Sequence, residues 1–315
     1  MKQNTTHSMV LTRRPISEAD REREKSVLAN LESHFIQMTG TMREAYDDMT
    51  AMTPLADRII LSEIDYHEVK GWWVCPKGAP VDRAILFLHG GAYMLGSAKA
   101  YRGLASQLAV RTGVSTFVLD YPLAPKHPFP AAFLAVSAAR RWLREQGYGR
   151  LALVGDSAGA GLALGTMVSE DARQQVNAVV AFSPWIDLTF AGASFSDPAT
   201  YDPIFPSPQI LRNAANTYLA GADPRDGRAS PLYSVPEAMP PLLIQAGTDE
   251  LLFDDAQRYA EVVAARGSEV ILTIYEGLHH VFQRSVTELE GARHAMDAAA
   301  SFIDSHWSTF TAAPA

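Results

Sequence analysis

Residues 150–169 read RLALVGDSAGAGLALGTMVS. The run LALV has the apolar character of a buried strand. A run of small residues with helical pattern follows it without a linker. Between them lies GDSAG, Gly155 to Gly159, a G-x-S-x-G sequence. Such a stretch forms a tight strand-to-helix turn with its serine at the tip, in a strained backbone conformation. The flanking glycines let strand and helix pass closely without a Cβ clash. The competing reading makes Ser157 an ordinary helix N-cap serine. The surroundings decide between the two.

On either side the chain alternates. RAILFLHG (83–90), VSTFVLDY (114–121), VNAVVAFSP (176–184), PPLLIQAG (240–247) and EVILTIYEG (269–277) read as further strands. Helical patterns fall near 100–111, 130–146, 254–266 and 288–305. Strand and helix in alternation predict an α/β fold, with a mostly parallel central sheet and helices on both faces. Ahead of this, RIILSEIDY (58–66) and KGWWVCP (70–76) read as an antiparallel pair. Residues 17–50 place Val27, Leu28, Leu31, Phe35 and Met38 at helical spacing, which predicts one or two amphipathic helices. From Trp185 to about Pro240 the alternation stops, and only PSPQILRNAANTYLAG (206–221) looks helical. That stretch is too long for an ordinary connection. The expected organisation is N-terminal cap helices at 1–50, a catalytic domain at 51–184 and 241–315, and a cap insertion at 185–240.

Composition narrows the function classes. The chain has 315 residues, 47% of them hydrophobic, enough for a sizeable core. Its formal net charge of -8 argues against nucleic acid as a partner. The N-terminal stretch lacks the apolar core of a signal peptide, and no run of about 18 apolar residues indicates a membrane span. Beyond a short alanine-rich tail there is no low-complexity segment. The single cysteine, Cys75, allows no intrachain disulfide, which fits a cytoplasmic location, and reads as a buried strand residue rather than a nucleophile.

Three more pieces carry chemistry. FLHGGAY (87–93) delivers two glycines after a strand, so the N–H groups of Gly90 and Gly91 can approach a developing oxyanion. Ala158, just after the serine, supplies a third N–H. His89 reads as a brace for that loop. In LLIQAGTDELLFDD (242–255), Asp249 follows the strand and is favoured as the acid over Glu250, Asp254 and Asp255. The last two begin a helix, where acids are favoured anyway. YEGLHHVFQ (275–283) offers His279 and His280 as the base. The order serine, acid, histidine on successive strand ends is that of a nucleophile activated by a triad.

With these residues in hand the chain resembles the hormone-sensitive lipase family of α/β-hydrolases. The resemblance covers nearly everything from about residue 30. It is carried by HGGAY, DYPLAPKHPFPAA, GDSAG, SPWIDLT, GTDELLFDD and HVFQ. SPWIDLT, ASPLYS and HVFQ resemble the branch of bacterial esterases and monoterpene ε-lactone hydrolases. The resemblance implies Ser157 as nucleophile, Asp249 as acid, and Gly90, Gly91 and Ala158 as oxyanion donors. Its last motif aligns His280, not His279, with the catalytic histidine. Pro122, Lys126 and Ala160 depart from the family pattern without removing a catalytic atom. The expected function is a serine carboxylesterase acting on short-chain or small apolar esters, with no cofactor and no metal. Trp185, Asp156 and Tyr93 are the expected substrate-facing residues. A lactone hydrolase or amidase with the same triad is the first alternative, and a non-catalytic ligand-binding relative the second. Family members often pair as homodimers through the edge strand and last helix, and EVILTIY is the candidate edge.

Overall fold

The computed structural model describes residues 9–307. The alanine-rich tail, and the ends of the two outermost segments named above, lie outside the described residues. In chain order the strands are β1 (Val10–Arg14), β2 (Ile59–Tyr66), β3 (Val69–Pro76), β4 (Arg83–Leu88), β5 (Thr116–Leu119), β6 (Arg150–Asp156), β7 (Val176–Phe182), β8 (Leu242–Asp249) and β9 (Val270–His279). The helices are α1 (Glu18–Ile36), α2 (Met42–Ala51), α3 (Arg102–Thr112), α4 (Ala131–Glu145), α5 (Ala158–Thr166), α6 (Glu170–Gln175), α7 (Pro208–Leu219), α8 (Phe253–Ala265) and α9 (Glu290–His306).

The strands form one nine-stranded sheet in the order β1-β9-β8-β7-β6-β4-β5-β3-β2. Pairings are parallel except β2 with β3 and β3 with β5. The interior strands read as apolar runs because both faces are covered: β5 and β7 are buried at every position. One face packs on α4, α5 and α8, the other on α3 and α9. The two hydrophobic clusters split accordingly, with Leu86, Leu153 and Ile244 on one side and Ile85, Ala152 and Leu243 on the other. Neighbouring residues of a strand point to opposite faces, which produces this division.

β1 departs from the sequence expectation. All five of its residues are exposed, so no buried alternation announces it. Its register runs from Val10 opposite Ile271 to Arg14 opposite Tyr275, and it covers the outer side of EVILTIY. That strand is therefore not the sheet edge, and the expected edge for dimer pairing is already taken within the chain. The segment 183–241 forms no strand and holds α7 with two short 3-10 turns, Ala193–Phe195 and Pro231–Ser234. No described helix is long and apolar enough to cross a membrane.

Candidate active site

The parallel strands end on one side of the sheet, and the chemistry gathers there. β6 ends at Asp156 and α5 begins at Ala158, so Ser157 sits on the turn between them. Its φ of 52° and ψ of -119° lie outside the usual region for an L-residue. Backbone bonds hold the strain. Ser157 N–H donates to the Phe182 carbonyl at 2.8 Å, and the Ser157 carbonyl accepts from Gly161 and Trp185 at 3.0 and 3.1 Å. A Cβ on Gly155 would lie 2.5 Å from the Gly159 carbonyl carbon, and one on Gly159 would run into the Leu88 carbonyl of β4. The glycines are required by close approach, as the motif implies. Ser157 does not cap α5 through its side chain, so the N-cap reading falls.

The histidine pair separates cleanly. His280 Nδ1 lies 2.8 Å from Glu250 Oε2. His279 turns the other way, with Nδ1 2.6 Å from Glu24 Oε1 on α1. Val281 N–H donates to Ser183 Oγ at 3.1 Å, which fixes the His280 loop to the end of β7. Arg284 ties the same loop to the serine turn, donating to Asp156 Oδ2 at 2.8 Å.

The expected acid requires correction. Asp249 does not contact His280; its carboxylate accepts from Thr248 Oγ1 at 2.9 Å and is half-buried beside Glu24 and His279. Glu250 takes the place against His280 and is fully buried. The reason is register. β8 does not stop at Gly247 but runs on through Asp249, with an irregularity that sets Asp249 opposite His279. Neighbouring side chains point opposite ways, so Asp249, which ends β8, sits by His279 and Glu250, one residue on, meets His280.

Burial lowers the His280 pKa to about 4, so the imidazole is neutral at pH 7 and able to accept a proton. Burial pushes the Glu250 carboxyl up, while the Ser183 hydroxyl, the His279 ring and the Gly247 N–H favour its charged form. With the carboxylate as acceptor, the imidazole carries its proton on Nδ1 and leaves Nε2 free.

The oxyanion expectation also changes. Gly90 N–H is engaged, donating to Asp156 Oδ1 at 2.9 Å and lying 3.1 Å from Tyr101 Oη. Gly91 and Ala92 follow with φ of 111° and 53°. Among the described residues their N–H groups have no acceptor. Ala158 opens α5, where the first N–H groups lack a partner one turn back. The donors on offer are thus Gly91, Ala92 and Ala158. Ala92 carries no side-chain signal; the turn's dihedrals select it. His89 braces this loop as expected. Its Nδ1 lies 2.7 Å from the Gly90 carbonyl and its ring stacks on Tyr121 at 4.2 Å. Burial pushes its pKa down, so Nδ1–H is the donor.

The expected substrate-facing residues are all buried. Asp156 is wholly buried and accepts from Gly90, Tyr101 and Arg284. Trp185 and Tyr93 are buried in an aromatic stack with Tyr218, the Tyr93 and Tyr218 rings being 3.8 Å apart. Phe205 instead comes to the histidine, its ring 5.2 Å from that of His280. Asp202 holds this piece of the insertion in place. It accepts from the N–H groups of Ile204, Phe205 and Leu251, each at 2.8 Å. Two cavities lie near these residues. One of about 130 Å³ is lined by Val27, Leu31, Met49, Met52 and His280 among others. The other, about 490 Å³, is lined by Phe195, Tyr201, Asp202, Phe205 and Leu251 among others.

Known proteins agree with this architecture. The alpha/beta hydrolase fold family matches residues 85–284. An acetyl-hydrolase of Streptomyces hygroscopicus is 39% identical over 235 residues, 73% of this chain and 78% of that protein. An esterase of Acinetobacter venetianus is 30% identical over 269 residues, 84% of this chain and 88% of its own. The crystal structure of an esterase from the bacterial hormone-sensitive lipase family superposes with a TM-score of 0.84 at 33% identity, covering 90% of this chain and 98% of the other.

Proposed function

We propose that this chain, which belongs to the α/β-hydrolase family and is a carboxylic ester hydrolase of the hormone-sensitive lipase type, works through an acyl-enzyme on Ser157, with His280 as proton shuttle and Glu250 as its acid. The observation that carries this reading is the 2.8 Å contact between His280 Nδ1 and buried Glu250, on the strand ends beside the strained serine turn. His280 Nε2 takes the hydroxyl proton as Ser157 Oγ bonds to the ester carbonyl carbon. Negative charge passes to the carbonyl oxygen, where Gly91, Ala92 and Ala158 N–H groups receive it. The C–O bond then breaks and the alcohol leaves with the proton from the imidazolium. Water, deprotonated by the same imidazole, attacks the acyl-enzyme and releases the acid and the serine.

The substrate is a small-molecule ester with a short acyl chain. Of the two cavities, the one whose lining includes His280 is about 130 Å³, well below the roughly 300–1,000 Å³ of sites that hold drug-sized ligands. Its lining of Val27, Leu31, Met49 and Met52 suits a short apolar group. The test is turnover of p-nitrophenyl esters from acetate to palmitate by the wild type and by Ser157→Ala. Wild type should peak at or below butyrate, and Ser157→Ala should retain no measurable turnover. A maximum at palmitate would refute the chain-length reading. Near-wild-type activity in Ser157→Ala would refute the nucleophile.

A further inference from the structure

The outer side of β9 changes partner along its length. β1 pairs with it only from Ile271 to Tyr275. Beyond that point a helix takes over. Glu24 on α1 accepts through Oε1 from the His279 backbone N–H at 3.0 Å, and the same oxygen lies 2.6 Å from His279 Nδ1. Both side chains are buried. One turn earlier on α1, Asp20 accepts from the N–H groups of Glu290 and Gly291, which open α9, at 2.9 and 2.7 Å. α1 is therefore fastened at two points. One is the start of the last helix, and the other is the residue next to His280.

The segment 279–281 is held from three directions. Asp249 pairs with His279 across the sheet. Ser183 accepts from Val281 N–H. Of these three hydrogen-bonded or paired contacts, the one from Glu24 comes from a helix outside the sheet and its ends. The same helix also lines the cavity beside the imidazole, through Val27 and Leu31. A buried carboxylate that accepts twice from one residue restrains both its backbone and its ring. Restraint on His279 is passed to the adjacent peptide unit, from which the His280 side chain departs.

We propose that Glu24 is a positioning residue for ester hydrolysis: by gripping His279 it sets the angle at which His280 is presented, and so couples the docking of α1 to the catalytic base. The proposal rests on the reading of His280 as the base. It accounts for two adjacent histidines, one that shuttles the proton and one that is the handle by which the cap helix holds it.

The experiment compares Glu24→Ala, Glu24→Gln, Glu24→Asp and Asp20→Ala for kcat and KM on p-nitrophenyl acetate, each with its melting temperature. Glu24→Ala should lose about tenfold or more in kcat, because small misplacements of a catalytic group cost up to about a hundredfold, with KM within about twofold of wild type. Glu24→Gln keeps an oxygen that accepts from both His279 groups and should recover most of the loss. Asp20→Ala frees α9 but not His279, so it should lower the melting temperature and leave kcat intact. The proposal is overturned if Glu24→Ala keeps wild-type kcat well below its melting temperature, or if Asp20→Ala lowers kcat as much. Should Glu24→Ala not fold, Glu24→Asp withdraws the carboxylate by one methylene; reduced kcat supports the proposal and full kcat overturns it. A wild-type enzyme that hydrolyses no ester would instead defeat the reading beneath it.

Discussion

Replacing Glu250 by Gln is the sharpest perturbation the site allows. The amide has the same shape, so the fully buried position is refilled without a cavity. What is lost is the charge that answers the imidazolium formed as Ser157 gives up its proton. His280 Nδ1 and Glu250 Oε2 are 2.8 Å apart. With about 4 Å between charge centres and an effective dielectric of about 20, their attraction is about 4 kcal/mol. At about 1.4 kcal/mol per tenfold in rate, that is roughly a thousandfold in kcat. The amide can also turn its NH2 towards Nδ1 and select the wrong tautomer, which adds to the loss. Asp249→Asn is the paired control. Among the described residues that carboxylate bonds only to Thr248, and its loss should leave kcat within about threefold of wild type, as for a change away from the reacting groups. Steady-state kinetics on p-nitrophenyl acetate, with near-ultraviolet circular dichroism to show native folding, reads both. A dead Asp249→Asn beside an active Glu250→Gln would refute the assignment and the strand register behind it.

Two further outcomes follow from the same geometry. Hydrolysis needs His280 unprotonated, and burial lowers its pKa from 6.5 to about 4. Burial raises the neighbouring Glu250 carboxyl to about 8, so the two groups titrate as a pair. The acid limb of kcat/KM should therefore not follow a free imidazole at 6.5, and in Glu250→Gln, where His280 titrates without that carboxyl, it should lie below that value. A limb at or above 6.5 in that variant would mean that the imidazole is not held as described. Gly159→Ala would drive a Cβ into the Leu88 carbonyl and force α5 away from β4. It should destabilise by roughly 1–3 kcal/mol, as overpacking does, seen as a lower denaturant midpoint. Gly149→Ala, in open space, should stay within about 0.5 kcal/mol of wild type.

What was legible in the chain depended on whether its cause was local. β4 to β9 announce themselves because buried parallel strands need unbroken apolar runs. The serine turn is legible because close backbone approach leaves glycine as the only residue that fits at Gly155 and Gly159. β1 left no such mark, since VLTRR is exposed throughout and owes its extended form to the edge of β9. The acid facing His280 lies one residue beyond the expected one because β8 runs on through Asp249, which pairs with His279, and the next residue meets His280. Gly90 reads as a donor because nothing nearby in sequence shows that Asp156 already holds its N–H. The aromatics of the insertion were legible as a group, but only packing separates buried Trp185 from Phe205 against the histidine. Long-range partners made each of these differences.

The central claim is a covalent intermediate on the strained serine. Peptide mass mapping after treatment with a fluorophosphonate tests it most directly. One adduct is predicted, on the peptide carrying Ser157, with ester turnover lost in proportion to labelling. An adduct on another residue, or full ester turnover in an enzyme whose Ser157 is quantitatively labelled, would contradict the account.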